Sequence, residues 1–452
     1  VISPARQRLA LAASVAGAAM VALDGGVLLV AQPSLQRDLG ASVAEVQWTS
    51  TGYLVAVAAL LVLAGRLGDR YGHRRLLCAG ALGFGAASAG IAVAGSVGWV
   101  IALRVAQGVC GALLQPATLA LLRLAYPPDR LDGPIAVRTS ALAVAAGAGP
   151  VLGGLVVTHL GWRAVFWVNV PVALAIAALT LAVRVPAPRR PDGGGRVGVA
   201  GAALLATALA ALVHALSGIP ARGWTGGRTL LELLAAAGAL ALLVAYERRA
   251  GHPNVPRAVA RSVPVIASVG ILLVTTAGLF GTLFRATFQL QDVLRLDPLA
   301  AGLRVLPLTA LMVLGAPVAA AALRRYGPRR TAVCGTLLVV LGIASLARSG
   351  ADGAWAAMAA AFAVLGAGFA TVMVTATASV VGDAPPGHAG VVGGLKQTAM
   401  NVGPALGIAV AAGTSGSAGV PGATTGTTLL LLAALAALGL LPASLLPRPT
   451  RA

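Results

Sequence analysis

Charge is scarce in this chain. Only 10% of its 452 residues are charged, against about 25% in soluble domains. Acids are the scarcer sign, with 13 Asp and Glu beside 33 Lys and Arg, and lysine occurs once, at Lys396. With 58% of residues hydrophobic, the chain cannot cover itself with enough polar surface for water. The three cysteines, Cys78, Cys110 and Cys334, lie far apart in or beside apolar runs. That spacing excludes a disulfide framework and offers no CxxC or Cys/His metal pattern. There is no Walker motif to support ATP as the energy source. No nucleophile stands with a base in a way that suggests enzyme chemistry, and no cofactor is implied.

What the chain does have is long apolar runs of about 18–25 residues, each able to cross ~30 Å of hydrocarbon. They fall near 9–31, 46–64, 76–95, 98–121, 136–158, 164–183, 197–217, 229–246, 263–288, 302–322, 331–348, 353–378, 388–412 and 427–446. This predicts an all-α integral membrane protein of about fourteen transmembrane spans, with the lipid bilayer as its solvent. The first run follows Arg6 and Arg8 like a signal peptide, yet it is too long for one and carries Asp24, so it reads as a retained helix. The net charge of +20 sits in short clusters between the runs, a topology pattern and not a nucleic-acid surface. Arg66, Arg70, Arg74 and Arg75 fall on one side together with Arg189, Arg190, Arg324, Arg325, Arg329 and Arg330. By the positive-inside rule that side is cytoplasmic and both termini face it, in the cell membrane.

The two ends of the chain repeat each other. Arg70-Tyr71-Gly72-His73-Arg74-Arg75 recurs as Arg325-Tyr326-Gly327-Pro328-Arg329-Arg330, and Gly149-Pro150-x-x-Gly153 recurs as Gly403-Pro404-x-x-Gly407. Both pairs share an offset of about 255 residues. Two six-helix halves, 1–190 and 263–452, are therefore expected in parallel relation, with two inserted helices in 191–262. Parallel halves of this kind are a known transporter plan.

The loop after the second run reads Gly65-Arg66-Leu67-Gly68-Asp69-Arg70-Tyr71-Gly72-His73-Arg74-Arg75. Its glycines permit a tight turn and close helix approach. Asp69 among arginines is suited to charge-assisted bonds that break and re-form. This loop resembles the signature of the major facilitator superfamily. Arg104-Val105-Ala106-Gln107-Gly108 resembles that superfamily's fourth-span motif, and Gly147 through Gly154 resembles its fifth-span antiporter motif. Trp162 through Pro171 and Leu23-Asp24 through Pro33 are similar to sixth- and first-span segments of the fourteen-span drug–proton antiporter branch. The resemblance implies Gly65, Gly68, Asp69, Arg70, Gly72 and Arg74, with Gly149, Pro150 and Gly153, as the conformational gate.

Asp24 has its own physical argument. A carboxylate inside hydrocarbon must pair, face water or take a proton. At ~1.5 Å per residue, Asp24 lies about 22 Å from the inner edge and Arg104 about 9 Å from the outer one, so the two are at similar depth and within reach of each other. The resemblance assigns proton coupling to a first-span Asp, hence to Asp24 with Arg104. Its neighbourhood departs from the family pattern, because Gly26 and Leu29 stand where relatives carry Thr and Asn. Fewer local hydrogen bonds are then available to Asp24, and Asp24→Asn is expected to abolish proton-coupled export while leaving expression and substrate binding largely intact.

Candidate substrate-lining residues are Gln115, Phe284, Gln397 and Asn401, polar or aromatic groups within spans. Phe280, Phe284 and Phe288 recur every fourth residue beside Arg285, which is equally consistent with packing or with snorkelling to the surface. Span 302–322 contains no Asp or Glu, so a dication would find little compensating charge. The expected function is a monomeric proton-coupled exporter of small amphiphilic molecules, driven by the proton gradient and working by alternating access. An uptake symporter is the alternative on the same scaffold. A non-transporting sensor or assembly partner is the alternative of another class, and it would need a soluble domain or long tail that is not visible.

Overall fold

The computed structural model describes residues 3–127, 130–183, 199–217, 222, 226–249, 255, 257–348, 355–383, 389–414 and 421–447. All regular structure among them is helical. The helices are α1 (Pro4–Leu39), α2 (Val43–Tyr71), α3 (His73–Ala92), α4 (Val97–Ala125), α5 (Asp132–Leu160), α6 (Trp162–Ala182), α7 (Val199–Ser217) and α8 (Gly227–Arg249). A single turn, α9 (Arg257–Ala260), precedes α10 (Val263–Phe288), which runs into a π-helical turn at Gln289–Val293. Then follow α11 (Pro298–Arg348), α12 (Trp355–Gly382), α13 (Ala389–Gly413), α14 (Pro421–Ala437) and the short α15 (Leu440–Ser444).

Local chemistry sets the boundaries. Ser42 opens α2 with a capping box: its hydroxyl accepts from the Glu45 amide at 3.2 Å, and Glu45 accepts from the Ser42 amide at 2.8 Å. Gly40 closes α1 at φ 60, the left-handed region that favours glycine. The apolar composition does the rest, since only hydrogen-bonded helices or closed barrels satisfy the backbone in lipid.

Ten helices are long and apolar enough to cross a membrane among the described residues. The count therefore falls short of the fourteen read from the sequence, for physical reasons that can be named. The start of α2 is polar, carrying Glu45, Gln47, Thr49, Ser50 and Thr51. The apolar part of α7 is short, Ala200–Leu216, and α13 carries Lys396, Gln397 and Asn401. The expected spans 302–322 and 331–348 are joined in one 51-residue helical run, whose backbone breaks at Gly327 (φ 77, ψ 168).

The chain forms two compact units, Val1–Ala203 and Leu204–Ala452. The sequence boundary near 190 lies outside the described residues. In the first unit α1 packs on α4, α5 and α6, α2 packs on α4, and α3 packs on α4 and α6. Leu77, Phe84, Leu114, Leu121 and Ile176 form its core. In the second unit α10 packs on α12, α13 and α14, and α11 packs on α12 and α14. Its core includes Ile271, Leu272, Val372 and Ala376.

The repeat is visible as geometry. Gly72 has φ 96 and Gly327 φ 77, both positive. Arg70 stacks over the Tyr71 ring at 5.5 Å, and Arg325 over the Tyr326 ring at 5.4 Å. Gly149 and Gly153 press α5 onto α1 at Gly26 and Val27. Gly403 and Gly407 press α13 onto α10 at Thr276 and Ala277. Small residues at helix crossings are how backbones approach closely in lipid, where no hydrophobic force drives helices together.

Candidate functional site

Asp24 sits midway along α1 and is 2% exposed; Arg104 on α4 is 1% exposed. They are the only carboxylate and the only cation in the buried set of the described residues. Arg104 Nη1 lies 2.6 Å from Asp24 Oδ2. The other carboxylate oxygen, Oδ1, accepts from Asn169 Nδ2 of α6 at 3.0 Å. Each oxygen of Asp24 thus has one donor, from a different helix.

Arg104 is held as closely. Its Nε donates to the Thr49 carbonyl of α2 at 2.8 Å, and its Nη1 also donates to Gln107 Oε1 one turn along α4. The guanidinium lies 4.4 Å from the centroid of the Tyr53 ring, so an aromatic face covers the charge. Gln107 Nε2 continues the chain to Ser88 Oγ of α3 at 2.8 Å. Five helices therefore meet in one polar network, and α5 closes against it two residues from Asp24, where Gly149 and Pro150 touch Gly26. In a medium of low dielectric such a network is strong when complete and costly when broken. The Asp24–Arg104 pair is thus tied to contacts on five helices.

Of these residues the sequence singled out only Asp24 and Arg104. Gln107 and Asn169 stood there only as members of family-like motifs, with no place in the site, and Thr49 and Tyr53 went unmarked; yet an Asn inside the apolar 21-residue helix α6 is itself a signal, since a buried amide needs partners. Gly108 has a packing reason, because a Cβ there would lie 2.6 Å from the Tyr53 carbonyl oxygen. Gly26 has one too. The sequence read it as a lost hydrogen bond, and the structure gives it a close contact, since a Cβ there would lie 3.2 Å from the Gly149 Cα.

The loop residues are arranged as follows. The His73 imidazole lies against Gly68, on the space a Cβ would need. Gly72 makes the turn with positive φ. Gly65 is helical with open space around it. Arg70 is exposed and Arg74 half-buried. The side chain of Asp69 lies outside the described residues.

The proposed lining residues are divided between the two units, Gln115 in the first and Phe284, Gln397 and Asn401 in the second. Gln115 is half-buried on α4. Phe284 is buried in the second unit against Phe288, with ring centroids 5.0 Å apart. Gln397 is half-buried on α13, and the Asn401 amide donates to the Gln397 carbonyl at 2.8 Å. Arg285 does not simply snorkel: it is half-buried and bonds the Thr425 hydroxyl. Among the described residues no three His, Cys, Asp or Glu come together to hold a metal ion.

Residues 15–408 and 270–452 match the family described as Major Facilitator Superfamily. The tetracenomycin C resistance and export protein of Streptomyces glaucescens is 42% identical over 87% of this chain and 73% of its own length. A puromycin resistance protein of Streptomyces alboniger is 34% identical over 86% of this chain and 78% of its own. The probable actinorhodin transporter of Streptomyces coelicolor is 31% identical over 90% and 72%. Among solved structures, a POT family transporter in complex with 5-aminolevulinic acid superposes with a TM-score of 0.69 at 13% identity, covering 95% of this chain and 94% of that one. The nucleoside transporter NupG superposes with a TM-score of 0.66 at 12% identity, covering 96% and 98%. At such identities the two structures speak for the fold alone.

Proposed function

This chain belongs to the Major Facilitator Superfamily, and on that premise we propose that it exports small amphiphilic compounds, antibiotics among them, in exchange for protons. It is a multi-pass membrane transporter and not an enzyme. Export is supported by the names of its relatives, a resistance and export protein and a puromycin resistance protein. Proton coupling is supported by one observation, the buried pair of Asp24 and Arg104 with its neighbours on five helices.

The mechanism follows from that pair. An ionised Asp24 holds Arg104 and Asn169 together. Protonation removes the charge that stabilises Arg104 in a low-dielectric setting, and the helices carrying the two residues are then freer to shift. Substrate release and proton uptake on the outer side, then proton loss to the cytoplasm, complete an alternating-access cycle. The close α1–α5 contact at Gly149, Pro150 and Gly153 serves as a seal in that cycle. The loop from Gly65 to Arg74, with Asp69 among its arginines, serves as a gate.

The finer architecture belongs to the same proposal: fourteen spans as six, two and six, divided near 1–190, 191–262 and 263–452. It places both termini in the cytoplasm of a cell-membrane protein acting as a monomer. Substrates are neutral, weakly acidic or at most monocationic. With one buried carboxylate described, about one proton moves per cycle.

The test is a drug panel, including tetracenomycin C and puromycin, on a hypersensitive host carrying this gene, with and without a protonophore. Protection that collapses with the protonophore is the expected result. No protection against any compound overturns export, and protection indifferent to the protonophore overturns proton coupling.

A further inference from the structure

A second arginine, at the start of the fifth apolar run, bonds no carboxylate among the described residues. Arg138 lies six residues into α5, about 9 Å along the helix, and is half-buried. Its Nε and Nη2 both bond the Thr118 hydroxyl of α4, at 3.3 and 2.8 Å. Thr118 is itself fixed. Its side chain is fully buried, its hydroxyl donates to the Gln115 carbonyl at 2.8 Å, and its own carbonyl accepts from Ser14 of α1 at 2.7 Å. One edge of the guanidinium is therefore clamped by a neutral group. The end-on edge, Nη1 with the second hydrogen of Nη2, has no partner among the described residues.

Among the described residues the charge has no carboxylate partner. Asp24 is ten residues, ~15 Å, further along α1 than Ser14, and it is already bonded to Arg104. No other carboxylate is in the buried set of the described residues. An arginine within a span is costly unless it meets an anion or water. A guanidinium clamped on one edge and open at its fork is pre-organised for a bidentate carboxylate or a phenolate. Gln115 stands three residues before Thr118, on the same face of α4, as a second polar group for such a ligand.

We infer that Arg138 is a substrate-binding residue that receives an acidic group, so the exported molecule is an aromatic or amphiphilic acid. This rests on the export reading and narrows its substrate class. The ligand supplies the negative charge that the described residues do not, and Thr118 aims the fork that receives it.

The experiment uses the purified full chain in nanodiscs with 9-anthracenecarboxylate and its methyl ester as probes, their affinities read by fluorescence titration. In the unmodified chain the acid should bind about tenfold or more tighter than the ester, the effect of a charge-assisted pair. Arg138→Gln should bring the ratio close to one, and Arg138→Lys, a charge without a fork, should leave it in between. Because the ratio is read within each variant, a general loss of fold cannot imitate its collapse. Equal binding of the two probes to the unmodified chain overturns the inference, as does binding of neither, or an undiminished ratio in Arg138→Gln. These outcomes are independent of the protonophore test, whose failure would sink export while leaving the probe preference in place.

Discussion

The backbones of Gly26 and Gly149 touch: a Cβ on Gly149 would lie 3.0 Å from the Gly26 Cα, and one on Gly26 would lie 3.2 Å from the Gly149 Cα. Neither helix can take a side chain at the crossing without moving the other. Gly149→Leu should therefore separate α1 from α5, at a cost of about 1–3 kcal/mol or more, and block transport. Gly26→Thr should do the same, although the family resemblance places Thr at that position. The measurement is vesicle transport at matched abundance. Full activity in either variant would show that the crossing is not a required seal.

Asp24→Asn leaves Arg104 buried without its counter-charge, a loss of about 3–5 kcal/mol when one partner of a buried pair is removed. This revises the sequence expectation of intact expression, because both groups are far more buried than depth counting could reveal. Asp24→Asn should abolish proton-coupled export and also lower abundance. Asp24→Asn combined with Arg104→Gln should be more stable than Asp24→Asn alone, though still inactive. Thermal unfolding in detergent decides this, and additive losses in the double variant would mean that the pair is not coupled.

Asn169→Leu removes the donor to Asp24 Oδ1. A hydrogen bond to a charged group contributes about 1.5–3 kcal/mol, so stability and export should both fall. Asn169→Ser, too short to reach yet tolerant of packing, should behave like Asn169→Leu. Wild-type export in both variants would remove Asn169 from the coupling network.

Gly68→Ala places a methyl group where the His73 imidazole now rests. The variant should transport several-fold more slowly, as overpacking distorts a tight contact. His73→Ala opens that space, so the pair Gly68→Ala and His73→Ala should recover most of the rate. If His73→Ala gives no recovery, the ring is not what the methyl group meets.

Some of this was legible beforehand because charge and glycine are rare punctuation in an apolar chain. Asp24 and Arg104 could be paired by counting residues from the ends of their runs. Arg-Tyr-Gly, twice at one offset, gave the repeat that the positive φ of Gly72 and Gly327 and the two Arg–Tyr stacks display. Uncharged partners were harder. Asn169 is 145 residues from Asp24 along the chain, and Thr49 uses its carbonyl, an atom every residue has. Phe284 fits a lining stripe and a packed core equally well in one dimension, and only its burial against Phe288 separates them.

The repeat also pairs positions across the two halves. Val27 and Ala277 occupy matching contacts with Gly153 and Gly407, so the counterpart of Asp24 is Val274. One half carries an ionisable group at this position and the other a valine, while both have the glycine turn whose backbone admits little else. A hexapeptide exchange between residues 70–75 and 325–330 asks whether these turns are interchangeable. Val274→Asp asks whether the second half can carry an ionisable group at the matching position.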